Sequence, residues 1–280
     1  MLKDLKSTYT LRNGVEMPGL GLGVWKVEDK NELIGAVHAA LDAGYIHIDT
    51  ATAYDNEQFV GEAVETSGVK REDIFITTKL WNSHHQYDEA LRAFDRSLEK
   101  LRTDYVDLYL IHWPTPKFDD YVEAWRALIR LYEEKRVRAI GVCNFKPHHL
   151  ERLEKETGIL PVIDQVECHP LLQQTELLDY CTKKGIRMEA YSPLLTGHLG
   201  DVAGSLEAIA KMHGKTPAQV CIRFQIERGV VVIPKSVHEN RIKENADVFD
   251  FSLDEEDMKA ITALNRDHRF LPDPDTANFR

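Results

Sequence analysis

Four cysteines, Cys143, Cys168, Cys181 and Cys221, are too few and too irregularly spaced for a disulfide framework, and without a C-x-x-C pair they do not build a zinc ribbon. Reduced thiols are expected. No run approaches the roughly 20 apolar residues a membrane-spanning helix needs, and MLKDLKSTYT lacks the apolar centre of a signal peptide. A cytoplasmic location without membrane contact is therefore expected. No lysine-rich or arginine-rich block interrupts a formal charge of −11, which opposes attraction to a polyphosphate backbone and argues against nucleic acid as a partner. No G-x-G-x-x-G follows a strand, since Gly19, Gly21 and Gly23 are spaced wrongly for that dinucleotide-binding turn. His84-His85 and His148-His149 look like metal-ligand pairs, but adjacent histidines diverge and lack carboxylates at ligand spacing, so no metal site is expected.

What the chain does contain is enough for a large core. Apolar residues make up 43% and charged residues 29%, unlike a disordered chain. From Gly19 onward, short runs rich in β-branched and aromatic residues alternate about eight times with segments of helical period: GLGVW, YIHIDTA, IFITTKL, VDLYLIH, VRAIGVCN, VIDQVE, RMEAYSP and VVVIPKS. Helix candidates lie at 31–42, 87–101, 119–134, 173–184 and 216–228. The strand runs show little polar alternation, as expected of a parallel sheet covered on both faces. Gly44 and Gly185 sit where a left-handed residue ends a helix. Asn13-Gly14, between YTL and VEM, signals a type I′ hairpin ahead of the repeats.

This pattern predicts a (β/α)8 TIM barrel with an N-terminal β-hairpin; a doubly wound sheet is the competing architecture. With no linker or low-complexity tract, residues 1–280 are read as one domain, with 265–280 a loop at the substrate pocket.

Three runs end in residues that handle protons: Asp49 with Tyr54 beyond it, Lys79, and His112. In a parallel barrel the carboxyl ends of all strands share one face. Parity puts Asp49 with His47, Lys79 with Thr77 and His112 with Leu110. A phenol titrates near pH 10, so proton transfer near neutrality asks for a stabilised anion. The Lys79 ammonium would lower the Tyr54 pKa by about two, worth roughly 2.7 kcal/mol, while Asp49 holds Lys79 charged. A neutral His112 would hydrogen-bond a substrate oxygen. Taken singly, each residue also has a structural explanation as an ion pair, a helix-start aromatic or a strand-end histidine; their joint placement favours chemistry.

The motifs D-T-A-x-x-Y-x-N-E (Asp49 to Glu57), T-K-L-W (Thr78 to Trp81), L-I-H-W-P (Leu110 to Pro114), I-G-V-C-N-F, Q-V-E-C-H-P, Y-S-P-L and I-P-K-S follow in order, and through them the chain resembles the aldo-keto reductases along nearly its whole length. The likeness extends to bacterial reductases of small aldehydes, glyoxal or diketogluconate. It implies NADPH-dependent reduction of small aldehydes and ketones, of methylglyoxal, glyoxal or keto-sugar type, with Tyr54 as general acid, Asp49 and Lys79 its supporting pair, and His112 orienting the carbonyl. Relatives that reduce carbon–carbon double bonds carry Glu where this chain keeps His112.

The same resemblance assigns the nicotinamide end of the cofactor to Asn144, Gln165 and Tyr191, with Gly23, Val24, Cys143, Ser192 and Leu194 along the cofactor. Lys235, Ser236, Arg241, Glu244 and Asn245 match K-S-x-x-x-x-R-x-x-E-N, whose cations suit a 2′-phosphate. Two positions depart from the family: Cys143 stands where serine is frequent and Val24 where threonine is, which removes hydroxyls from the cofactor site. Trp25, Trp81 and Trp113 resemble the aromatic wall of the substrate pocket, and a monomer is implied. Two rivals remain, a Schiff-base lyase using Lys79, which needs a neutral amine, and an NADPH-binding subunit that senses redox state.

Overall fold

The computed structural model describes residues 2–280. The hairpin leads: β1 (Thr8–Thr10) pairs antiparallel with β2 (Glu16–Pro18). Its turn corrects the expectation of type I′. Only Gly14 is left-handed, at φ +83°, while Asn13 is not. Gly14 N–H donates to Leu11 O at 2.8 Å and Leu11 N–H to Val15 O at 2.8 Å, a type I turn closed by a glycine bulge. Asn13 is held instead by its side chain, whose amide donates to Arg138 O at 3.1 Å.

Eight parallel strands follow, each with a helix after it. In order they are β3 (Leu22–Gly23), α1 (Lys30–Asp42), β4 (His47–Asp49), α2 (Glu57–Thr66), β5 (Phe75–Leu80), α3 (Tyr87–Leu101), β6 (Val106–Ile111) and α4 (Tyr121–Glu133). Then come β7 (Val137–Cys143), α5 (Pro147–Thr157), β8 (Ile163–Glu167), α6 (Thr175–Lys184), β9 (Arg187–Tyr191), α7 (Gly200–Met212), α8 (Pro217–Glu227), β10 (Val231–Ile233), α9 (Glu239–Ala246) and α10 (Glu255–Thr262). The strands pair in sequence order from β3 to β10. Gly21 N–H donates to Val232 O at 2.9 Å and Val232 N–H to Gly19 O at 3.1 Å, which joins the last strand to the first. The closed order replaces the doubly wound alternative.

Sequence chemistry accounts for the boundaries. Asp29 caps α1 by accepting from Glu32 N–H, and Thr216, Pro217 and Gln219 form a capping box with proline at the start of α8. Gly44 and Gly185 adopt φ +98° and +69° at helix ends. In α3 the buried residues Ala90, Ala93, Phe94, Ser97, Leu98 and Leu101 recur at three-to-four spacing and face the barrel.

Every residue of β5 and β6 is buried, because one side packs on helices and the other fills the barrel. Inside, Leu108, Leu110, Ala139 and Ile163 pack with Leu11 and Met17, so the hairpin plugs the end where the strands begin. Gly141 is needed in this interior: a Cβ there would lie 2.8 Å from Ile163 O.

After Thr262 the chain has no further helix or strand. It runs over the opposite end and is tied down repeatedly. Glu167 accepts from Phe270 N–H at 2.7 Å and Leu271 N–H at 3.2 Å. Lys146 Nζ reaches Asp273 and Asp275, each at 2.7 Å. His148 and His149 approach Asp275 Oδ1 at 3.0 and 3.4 Å. His149 Nδ1 accepts from Lys146 N–H, so its proton sits on Nε2, toward the carboxylate. This cluster, with an ammonium in it, works as an anchor for the terminal segment.

Candidate active site

The strand ends carry the ionisable side chains to one mouth. Asp49 is the last residue of β4, Lys79 the next-to-last of β5, and His112 directly follows β6. Tyr54 closes a short 3₁₀ turn, Thr52–Tyr54, beyond β4. The rest of its motif holds that turn in place. Asn56 donates to Val24 O and Val27 O at 3.0 and 3.1 Å and accepts from Thr50 Oγ1 at 2.7 Å. Glu57 accepts from Thr78 Oγ1 at 2.6 Å.

Lys79 is fully buried, and Nζ donates to Asp49 Oδ1 at 2.6 Å, Thr50 O at 2.9 Å and Tyr54 Oη at 3.4 Å. Burial opposes its charge, but Asp49, together with Tyr54 and Cys143, outweighs that and raises its pKa. The amine is an ammonium, not a Schiff-base nucleophile.

For Tyr54 the structure corrects the expected direction. Burial is the dominant influence and raises the phenol's pKa, with Lys79 only partly opposing it. The phenol therefore holds its proton, the state a general acid starts from; Lys79 lowers the cost of giving it up. Burial, helped by Lys79 and His85, pushes His112 well below the ordinary histidine range, so its imidazole is neutral. His112 Nδ1 has no hydrogen-bond partner among the described residues.

These groups line a cavity of about 940 Å³, near the upper end of the range for small-molecule sites, roughly 300–1,000 Å³. Asp49, Tyr54 and His112 face it at one end, with Trp25, Trp81 and Trp113 beside them. Trp81 lies edge-on to His112, with ring centres 5.3 Å apart, and stacks on Phe279 at 5.8 Å. Phe279 also meets Trp113 at 5.3 Å. The fourth tryptophan, Trp125, is wholly buried and donates to Ile159 O.

Gly23, Cys143, Asn144, Gln165, Tyr191, Ser192 and Leu194 also line the cavity, as do Lys235, Ser236, Arg241, Glu244 and Asn245. Tyr191 Oη donates to Asn144 Oδ1 at 2.6 Å, and Asn144 Nδ2 to His112 O at 3.1 Å, which links three strand ends. Lys235 and Arg241 are exposed and form no ion pair with any described residue, leaving two unneutralised cations on the cavity lining. Glu244 is engaged structurally by Thr216 Oγ1 at 2.7 Å. Burial raises the Cys143 thiol well above its usual range, which makes it inert.

Val24 is a correction: its side chain packs in the core outside β3 and does not line the cavity, and its N–H donates to Asp49 O at 3.1 Å. Two participants escaped the sequence reading. Phe279 lies in a segment without periodicity, and only its aromatic character marked it. Glu189, an acid inside RMEAYSP, was hidden by its strand; it is fully buried against Gln165.

The donor set suits a dinucleotide with an extra phosphate: amides and an aromatic ring beside the proton-handling groups, and two free cations on the same cavity lining. The sequence model of the Aldo/keto reductase family matches residues 19–266. Glyoxal reductase of Bacillus subtilis (strain 168) is 53% identical over 279 residues, covering 100% of both chains. Methylglyoxal reductase DkgA of Escherichia coli (strain K12) is 49% identical over 266 residues, 95% of this chain and 96% of that one. Among solved structures, a variant of Gox0644 in complex with NADPH superposes with a TM-score of 0.92 at 44% identity, covering 97% of this chain and 98% of that one.

Proposed function

Since the chain belongs to the aldo/keto reductase family and is an oxidoreductase of that family, we propose that it uses NADPH to reduce small aldehydes and ketones, glyoxal and methylglyoxal among them, to alcohols. The similar enzymes named for those two substrates and the relative solved with NADPH support this reading. The observation that carries it is the chain of contacts Asp49–Lys79–Tyr54 at the end of the cavity, with 2.6 and 3.4 Å between successive polar atoms.

Bound NADPH supplies the hydride. Tyr54 delivers its phenolic proton to the carbonyl oxygen as that oxygen gains charge, and Lys79 stabilises the phenolate left behind. Asp49 keeps the ammonium charged and fixed. His112, neutral, offers an N–H to the same oxygen and orients the carbonyl. Asn144, Gln165 and Tyr191 hold the nicotinamide end, and Lys235 and Arg241 grip the 2′-phosphate. Trp25, Trp81, Trp113 and Phe279 exclude water around a small substrate.

The described residues, 2–280, work as one barrel unit with 265–280 as the strap over its mouth. The protein acts as a cytoplasmic monomer without nucleic-acid partners, consistent with a charge of −11; among the described residues no helix is long and apolar enough to cross a membrane. The test follows NADPH absorbance with glyoxal, methylglyoxal and short aldehydes. Stoichiometric alcohol formation is expected. Tight NADPH binding without turnover of any carbonyl would favour a redox-sensing role instead.

A further inference from the structure

Beneath the cavity floor lies a buried acid to which the reaction above gives no task. Glu189 pairs in register with Gln165 across β8 and β9, and both side chains point into the barrel. Gln165 lines the cavity, whereas Glu189 is fully buried below it. The Gln165 amide nitrogen is 2.8 Å from Asp49 Oδ2 and 2.9 Å from Glu189 Oε2. A primary amide has two N–H donors, and these two carboxyl oxygens take both.

Turning the amide over would set its oxygen against the same two acceptors, one of them on the carboxylate paired with Lys79. The nitrogen is thereby pinned downward. Gln165 Oε1 is left with the Cys143 thiol, a weak donor at 3.7 Å, and keeps acceptor capacity for the cavity.

We propose that Glu189 is a positioning residue: with Asp49 it locks the Gln165 amide so that an acceptor, never a donor, faces the cofactor, and so selects the amino group of the nicotinamide carboxamide. This rests on the NADPH reading above. The ionisation state fits the task. Burial, reinforced by Asp49, pushes Glu189 up to about 8, so near neutrality it is a neutral carboxyl group with its proton on Oε1, which leaves Oε2 as the acceptor that the Gln165 amide uses. A second bare carboxylate would compete with Asp49 for Lys79; a neutral one completes the amide's bonding without disturbing that pair. His47 Nε2, 3.9 Å from Glu189 Oε1, stays neutral because burial and Lys79 push it down to about 3.

The test compares NADPH with its reduced 3-acetylpyridine analogue, which has a methyl ketone in place of the carboxamide and no N–H to give. Binding of each is measured by quenching of tryptophan fluorescence in the wild type, Glu189→Met and Glu189→Gln. The wild type should prefer NADPH by roughly tenfold, the value of one satisfied acceptor. Glu189→Met should cut that preference to about twofold or less by weakening NADPH alone, because only the bond to Asp49 then orients the amide. Glu189→Gln, which retains a carbonyl acceptor, should keep it.

An undiminished preference in folded Glu189→Met would overturn the inference, as would equal affinities in the wild type. No NADPH binding by the wild type would instead overturn the cofactor reading. Should Glu189→Met fail to fold, NMR of the wild type decides. The two side-chain amide protons of Gln165, assigned by their loss in Gln165→Glu, should exchange slowly; rapid exchange of both would refute the lock.

Discussion

Replacing Lys79 with methionine removes the cation while keeping the bulk of the side chain. At an effective dielectric of about 20, a unit charge 3.4 Å from the Tyr54 oxygen stabilises a phenolate by roughly 5 kcal/mol. Taken whole, that would exceed three decades of rate; relaxation of the site trims it, and a loss of about 1,000-fold in kcat is expected. The same change strands Asp49, which accepts from Lys79 at 2.6 Å in a buried site. Leaving one charge unpaired costs about 3–5 kcal/mol of stability. The double variant Asp49→Asn, Lys79→Met separates the two effects, because it removes both charges together. It should regain much of the stability yet stay about 1,000-fold slow with methylglyoxal. NADPH affinity should change little, since Lys79 does not line the cavity. A folded double variant that turns over within tenfold of the wild type would refute electrostatic support of Tyr54.

Arg241→Ala should weaken NADPH binding by about 10–100-fold, the value of charge-assisted bonds to a phosphate, and leave NADH nearly unchanged; titration of both nucleotides checks this. Phe279→Ala removes a ring stacked on Trp81 and should raise KM for phenyl-bearing aldehydes by about tenfold, from lost apolar contact, while moving glyoxal far less. Glu189 also sets a pH dependence of stability. Its folded value of about 8 lies above the ordinary 4.5, so its contribution is complete below 4.5 and disappears as pH rises through 8. For an isolated group that is at most roughly 5 kcal/mol, and urea unfolding at pH 5 and 8.5 should show a smaller decline in Glu189→Gln than in the wild type.

The barrel was legible because βα alternation and strand-tip residues are local signals that the closed sheet merely assembles. Each of the eight strand runs contains an observed strand, and the five helix candidates match α1, α3, α4, α6 and α8 within about two residues at either end. Legibility failed where the outcome depends on what surrounds a residue. Asn13-Gly14 suits either of two turns, and the contact of Asn13 with Arg138 O, remote in sequence, accompanies the one adopted. The direction of the Tyr54 shift depends on burial against Lys79, and only depth in the mouth decides which is larger. Val24 follows β3 in the motif, yet its side chain turns outward into the core. Phe279 reaches Trp81 because the terminal strap is tied down at Glu167, Lys146 and Asn82, anchors with no sequence period.

The most direct measurement is single-turnover oxidation of bound NADPH by methylglyoxal in Tyr54→Phe, with NADPH binding measured on the same sample. Loss of the phenolic proton should slow the step by at least about 100-fold and leave binding intact. An unchanged rate in a variant that still binds NADPH would remove Tyr54 as the acid, and with it the role given to Lys79 and Asp49.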